Sequence, residues 1–262
     1  MALRVLTSIV GIPIFLFAII KGGLALLAVS GILIVVGATE LDNLYRRLGH
    51  HGLFPLIAAG GLLLLVSAYI SNGDGLLSWF TPDMALVSIL FAILLRELWQ
   101  KQKRPLQRAA AAGLGALYLG LFAYLVWLRH LGPVPVLTAV LCTWCTDTAA
   151  YLTGMRFGRT PMAPAISPAK TREGALGGLL GGLLAGVLIA CGAGGDLRQG
   201  ALLGLVAAFA AEVGDLVESA MKREAGVKDA GNFFPGHGGV LDRFDSLLFA
   251  GAAVYYLWLF LE

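Results

Sequence analysis

Between Glu218 and Ser246 the chain concentrates Lys222, Arg223, Lys228, Asp229, His237, Asp242, Arg243 and Asp245, in a polypeptide that is otherwise nearly all apolar. Ionisable side chains beside a bilayer are costly, so a concentration of this kind marks a site. Carboxylates hold divalent cations, and cationic side chains hold phosphates. The turn Pro235–Gly239 can aim backbone amides at an anion. Taken together these residue types point to a phosphate- and metal-handling site in a membrane enzyme.

Two helical faces must present these groups. Asp215, Ser219 and Lys222 recur at i, i+4 and i+7, which puts a carboxylate, a hydroxyl and an ammonium on one face, with Glu212 one turn earlier. Glu218 stands four residues before Lys222, where a simple ion pair is the plain reading. Asp215 has no basic residue four positions away. Asp242 and Asp245 fall in the first turn of the last apolar segment. Acidic residues there complement a helix dipole, yet with Asp215 they also make three carboxylates without clustered His or Cys. Such a set suits a hard cation such as Mg²⁺. The glycines of the 235–239 turn permit a phosphate-binding nest or a plain tight turn. His237 reads either as a hydrogen-bonding residue or as an acid, base or phosphate donor. Asp147 is a further ionisable group in an apolar stretch, and Lys170 and Arg172 lie in the loop that follows it.

The rest of the sequence supplies the scaffold. Of 262 residues 58% are hydrophobic and 13% charged, with a mean hydropathy of +0.82. A soluble domain could not solvate that composition, so the class is an all-α polytopic membrane protein. Nine apolar spans are expected, at about 4–20, 23–41, 53–71, 84–98, 109–129, 134–155, 174–192, 199–221 and 242–261. Residues 1–130, with spans one to five, form a packing region; residues 131–262 carry the chemistry. With nine spans, 16 of the 19 Lys and Arg fall on one side, which the positive-inside rule makes cytoplasmic. Both polar loops, 156–173 and 222–241, then face the cytoplasm. Glycines at 174, 178, 182 and 186 share one face of the seventh span, where small residues allow helices to approach closely. Cys142 and Cys145 form a single CxxC within an apolar run, read as ordinary helix packing. The cationic loop 96–108 reads as a surface attracted to anionic lipid headgroups.

The run Ser219–Asp245 resembles the CDP-diacylglycerol synthase family, also called phosphatidate cytidylyltransferases. Its signature is S-x-x-K-R, four residues, K-D, and a P-x-H-G-G-x-x-D-R-x-D ending, and every element is present at its spacing. The segments Asp147–Arg159 and Ser167–Gly174 are family-like as well, whereas residues 1–130 match in hydropathy only. The resemblance implies transfer of cytidylate from CTP to phosphatidic acid, giving CDP-diacylglycerol and pyrophosphate. It further implies catalytic roles for Asp215, Ser219, Lys222, Asp242 and Asp245. The metal would be held by Asp215, Asp242 and Asp245, with Mg²⁺ and a monovalent cation such as K⁺. Substrate binding would fall to Asp147, Lys170, Arg172, Arg223, Lys228, Asp229, His237, Gly238, Gly239 and Arg243. A homodimer in the cytoplasmic (inner) membrane, surrounded by lipid and without a nucleic-acid partner, is the expected setting.

Both substrates are anions, so cations must shield their repulsion and stabilise the leaving pyrophosphate. The nucleophile is already a phosphate oxygen, which removes the need for a strong base and weakens that role for His237. The alternative from another class is an ion-coupled secondary transporter of an anionic substrate. Such proteins often carry an internal repeat with paired broken helices, and none is visible here.

Overall fold

The computed structural model describes residues 2–71, 73, 77–100, 103–236 and 238–262, with side chains from residue 9 onward. Among the described residues the regular structure is helical apart from one small hairpin and an isolated bridge between Phe234 and Gly238. Its helices are α1 (Ala2–Lys21), α2 (Gly23–Arg47), α3 (Phe54–Ile70), α4 (Pro82–Gln100), α5 (Pro105–Gly120) and α6 (Ala123–Leu131), then α7 (Pro133–Phe157), α8 (Arg172–Ala193), α9 (Leu197–Glu224) and α10 (Leu241–Leu261). Each expected span falls on a helix, the fifth on α5 and α6 with a short turn between them. Five stretches are long and apolar enough to cross a membrane among the described residues: Gly23–Arg47, Pro105–Leu131, Arg172–Ala193, Leu197–Glu224 and Leu241–Leu261. This is an all-α membrane protein. Two compact units divide it, one of residues 1–130 and 224–243, the other of 131–223 and 244–262.

In the first unit α3 packs against α2, α4 and α5. Small residues make this possible: a methyl added at Gly60 would stand 2.6 Å from the Ala116 Cβ, and one at Gly61 2.9 Å from the Ile34 side chain. Lipid offers no hydrophobic drive for helix association, so close contact of this kind and internal hydrogen bonds hold the helices. Several polar groups inside the unit are satisfied at helix ends. Asp42 Oδ1 accepts from the Leu53 and Phe54 amides at 2.7 and 3.0 Å, closing the start of α3, while Arg46 donates to its other oxygen at 2.7 Å. Arg129 donates to the carbonyls of Ile19 and Ile20 at the end of α1, where Gly22 turns the chain with φ +68°. A guanidinium there satisfies carbonyls the helix leaves over and complements its dipole.

The loop expected to serve lipid headgroups is in part a structural tie. Arg108 is buried and makes a two-pronged pair with Glu97, at 2.9 and 3.4 Å, and it also donates to the His51 carbonyl. Arg96 donates to the Gly52 carbonyl at 2.7 Å. A planar guanidinium fits a carboxylate fork and a nearby carbonyl together, as an ammonium cannot. Lys101 lies outside the described residues.

In the second unit α8 is the packing centre. Gly174, Gly178, Gly182 and Gly186 are buried, and Leu176, Leu180, Leu184 and Leu188 stand exposed on the other side. The glycines meet two helices: Gly181 stands against Ala149 of α7, and Gly186 against Gly200 and Gly204 of α9. The four-residue glycine spacing is therefore a helix-packing device. Thr171 caps α8 by accepting from the Gly174 amide at 3.1 Å. The preceding loop contains a hairpin the sequence did not announce, β1 (Pro161–Ala163) paired antiparallel with β2 (Ser167–Thr171). Its two prolines lack the amide a ladder uses, which hides so short a pairing from sequence pattern.

A methyl added at Gly182 would stand 2.6 Å from the Ala208 Cβ, 2.7 Å from Thr146 Oγ1 and 2.9 Å from the Gly204 carbonyl. Overpacking of this kind costs about 1–3 kcal/mol. Gly182→Val is expected to lower the thermal midpoint of the detergent-purified protein well below that of Leu184→Ala, whose side chain faces outward. Equal midpoints would remove the packing role of the glycine stripe.

Candidate active site

Helix α9 carries Asp215, Ser219 and Lys222 at i, i+4 and i+7, with Glu218 one turn before Lys222. It meets α10 at Gly214, where an added methyl would stand 2.5 Å from the Asp245 carbonyl and 3.0 Å from the Phe249 ring. Only a residue without a side chain permits that approach. The crossing brings Asp215 and Glu218 of α9 to Asp245 of α10, with one carboxylate oxygen of each within 4.8 Å of the others. Glu218 and Asp245 are buried. Ser246 donates its amide to Asp245 Oδ1 at 2.7 Å, and Ser219 Oγ lies 3.4 Å from Asp215 Oδ1.

Two ammonium groups stand against these three carboxylates. Lys170 reaches from β2 to Asp215 at 2.5 Å, and Lys222 pairs with Glu218 at 2.6 Å. The anticipated Glu218–Lys222 ion pair therefore exists, but Glu218 belongs to the acidic group as well. Asp147, from α7, is within electrostatic reach of Asp245, Asp215, Lys170 and Glu212. Glu212 Oε1 is buried without a hydrogen-bond partner among the described residues, and room for it is left by Gly178.

The hairpin that carries Lys170 is held from three sides. Arg223 Nε donates to the Ile166 carbonyl at its tip, at 3.1 Å. Glu173 accepts from the amides of Arg159 and Thr160 and from the Thr160 hydroxyl at its base. Arg172 donates its amide to the Thr160 carbonyl, while its side chain is exposed. Lys170 is thus presented from a fixed strand, and Arg172 stands at the first position of α8.

The remaining predicted residues lie in the first unit. Lys228, Asp229 and Arg243 are exposed. Asp242 Oδ2 accepts from the amides of Ala230 and Gly239, at 3.0 and 2.7 Å. Gly238, at φ +94°, leaves room for that carboxylate, and its carbonyl accepts from the Phe234 amide. The Val240 and Leu241 amides at the start of α10 donate to Glu40 of α2, each at 2.9 Å. Protein carboxylates therefore take the amides that a phosphate nest would have used. His237 lies outside the described residues. Glu40 escaped the sequence reading; its signal was an acidic residue inside the second apolar span, which calls for a partner.

The donor set of the Asp215, Glu218 and Asp245 group fits a hard divalent cation, being all oxygen. Ligands on opposite sides of a Mg²⁺ stand about 4.2 Å apart, twice a bond of about 2.1 Å. A group spanning up to 4.8 Å needs only a small inward adjustment.

The Cytidylyltransferase family model matches residues 2–261. A phosphatidate cytidylyltransferase of Staphylococcus aureus (strain COL) is 34% identical over 252 residues, covering 95% of each chain. Those of Staphylococcus saprophyticus and Staphylococcus haemolyticus are 34% identical over 255 and 256 residues, again 95% of each chain. With the model matched end to end and relatives of nearly the same extent, the chain belongs to the cytidylyltransferase family.

Proposed function

We propose that this protein is a phosphatidate cytidylyltransferase, an integral membrane nucleotidyltransferase that makes CDP-diacylglycerol and pyrophosphate from CTP and phosphatidic acid. The observation that carries the reading is the complete Ser219–Asp245 signature in a chain that belongs to the cytidylyltransferase family and matches enzymes of that name over 95% of its length. Nothing in the site or the relatives favours an ion-coupled transporter. A phosphate oxygen of phosphatidic acid attacks the α-phosphorus of CTP. As that bond forms, the bond from the α-phosphorus to the bridging oxygen of the β-phosphate breaks, and pyrophosphate leaves with its electron pair.

Asp215, Glu218 and Asp245 hold a Mg²⁺ in this reading; Asp242 is proposed as a further ligand on the signature alone. When bound, the metal supplies shielding between the two anionic substrates and stabilisation of the leaving group. Lys170 and Lys222 pair with these carboxylates, which supports a role for their ammonium groups in meeting phosphate charge. We assign them, with Arg223, Arg172, Lys228 and Arg243, to binding CTP and lipid phosphates. Ser219 steadies Asp215 through its hydroxyl. Asp147 is proposed to contribute to substrate binding, on the family-like segment that carries it. Asp229, His237, Gly238 and Gly239 are proposed to contact substrate, on the signature. A monovalent cation such as K⁺, a homodimer, and a site on the cytoplasmic face of the inner membrane complete the proposal. The last rests on the 16-to-3 distribution of Lys and Arg.

Purified protein in liposomes containing phosphatidic acid, given CTP and Mg²⁺, is expected to form CDP-diacylglycerol and pyrophosphate in equal amounts. Chelation should stop turnover and added Mg²⁺ restore it; CTP consumption without lipid-linked cytidylate would contradict the reaction. Asp245→Asn and Asp242→Asn should each lower turnover by about 100-fold or more at unchanged folded yield, the scale of losing a charge-stabilising group. Wild-type rates in either would remove that residue from the ion site. Lys222→Ala should raise the KM for CTP about tenfold, the loss of one charge-assisted contact; an unchanged rate at limiting CTP would count against the phosphate role.

A further inference from the structure

We infer that Glu40 is a positioning residue for the signature loop of residues 230–241, a role that rests on the reading of residues 219–245 as the reaction site. Glu40 lies on α2 and is buried, at 4% exposure. Its Oε1 accepts from the Val240 amide and its Oε2 from the Leu241 amide, each at 2.9 Å, across 200 residues of sequence. Both carboxylate oxygens are thus spent on the start of α10, the helix that carries Asp242 and Asp245. Two further positions are shaped around the same carboxylate. A methyl at Gly239 would stand 2.5 Å from it, and Gly231 leaves no more room.

The loop is held by a division of amides between two acids. Asp242 takes those of Ala230 and Gly239, and Glu40 takes those of Val240 and Leu241. Asp242 ties the loop to its own helix and is local. Glu40 comes from a distant helix and anchors the loop to α2. A buried carboxylate is costly unless hydrogen-bonded, and the α10 dipole adds to the return from these two amides. Losing the anchor therefore frees the loop and the first turn together. Lys228, Asp229 and Arg243, assigned to substrate, flank this stretch. Both hydrogen bonds of the Glu40 carboxylate come from backbone amides, so it acts through the loop.

The test compares Glu40→Gln and Glu40→Ala with Asp42→Asn. Asp42 is a buried carboxylate of the same helix that closes α3 in the same manner. Glutamine keeps one acceptor oxygen and alanine none. Amide hydrogen exchange at residues 239–241 of the full-length protein in detergent is expected to accelerate about tenfold in Glu40→Gln and further in Glu40→Ala. Cytidylate transfer per folded molecule should fall in the same order, by at least about tenfold in Glu40→Gln. Asp42→Asn should accelerate exchange at residues 53 and 54 instead, with turnover per folded molecule within about twofold of wild type. Unchanged exchange at 239–241 would overturn the anchor. Faster exchange with undiminished turnover, or an equal loss in Asp42→Asn, would overturn the positioning role. A wild-type protein that transfers no cytidylate would refute the enzymatic reading, while the exchange comparison would still decide whether Glu40 holds the loop.

Discussion

Carboxylates placed inside an apolar helical protein dominate this structure. A buried acid without partners costs several kcal/mol, and hydrocarbon offers it no water. Apart from Glu212, whose Oε1 is buried without a hydrogen-bond partner among the described residues, these acids are met in one of two ways. Glu40, Asp42 and Asp242 close the starts of helices or loops through backbone amides, and Glu97 closes on a guanidinium. Asp215, Glu218 and Asp245 instead gather around one point, answered by Lys170 and Lys222. The first kind builds the scaffold. The second concentrates charge where a metal and phosphates can exchange with ammonium groups, and that is where chemistry is assigned.

Close approach of helices makes the second arrangement possible. Gly214 lets α9 lie on the Asp245 carbonyl, and the α8 glycines let α7 and α9 pack on either side of it. Small residues thus serve two purposes at once: they supply the packing that replaces a hydrophobic drive, and they bring carboxylates from separate helices within 4.8 Å of one another. The hairpin adds a strand-borne lysine whose strand is pinned by Arg223 at its tip and by Glu173 at its base. A lysine with a flexible stem gains a defined position from that support.

Much of this was legible in the sequence because membrane helices announce themselves by length and composition. Each of the nine apolar segments falls on a helix, and the i, i+4, i+7 spacing put Asp215, Ser219 and Lys222 along one helix. The four-residue glycine period was read as packing, and the Gly178 and Gly182 contacts are of that kind. What escaped depends on distance along the chain. The partnership of Glu40 with Val240 spans 200 residues and has no local pattern, although an acid in an apolar span was a signal in itself. Arg96 and Arg108 looked like surface charges because their partners, Gly52, His51 and Glu97, lie outside the loop that contains them. The 235–239 turn was open to a nest or a plain tight turn, and its local pattern does not show the acids Glu40 and Asp242 that take the Gly239, Val240 and Leu241 amides. Glu218 had a sufficient local explanation in Lys222, and so its share in the acidic group went unnoticed.

The central claim is that Asp215, Glu218 and Asp245 hold a divalent cation. Crystals grown with Mn²⁺ in place of Mg²⁺ and measured at the manganese absorption edge test it directly, since anomalous scattering locates the ion without reference to activity. The account predicts a peak ligated by Asp215, Glu218 and Asp245, with Lys170 displaced from Asp215 and Lys222 from Glu218. An absence of anomalous density there, with Lys170 and Lys222 still paired to the same carboxylates at saturating Mn²⁺, would contradict it.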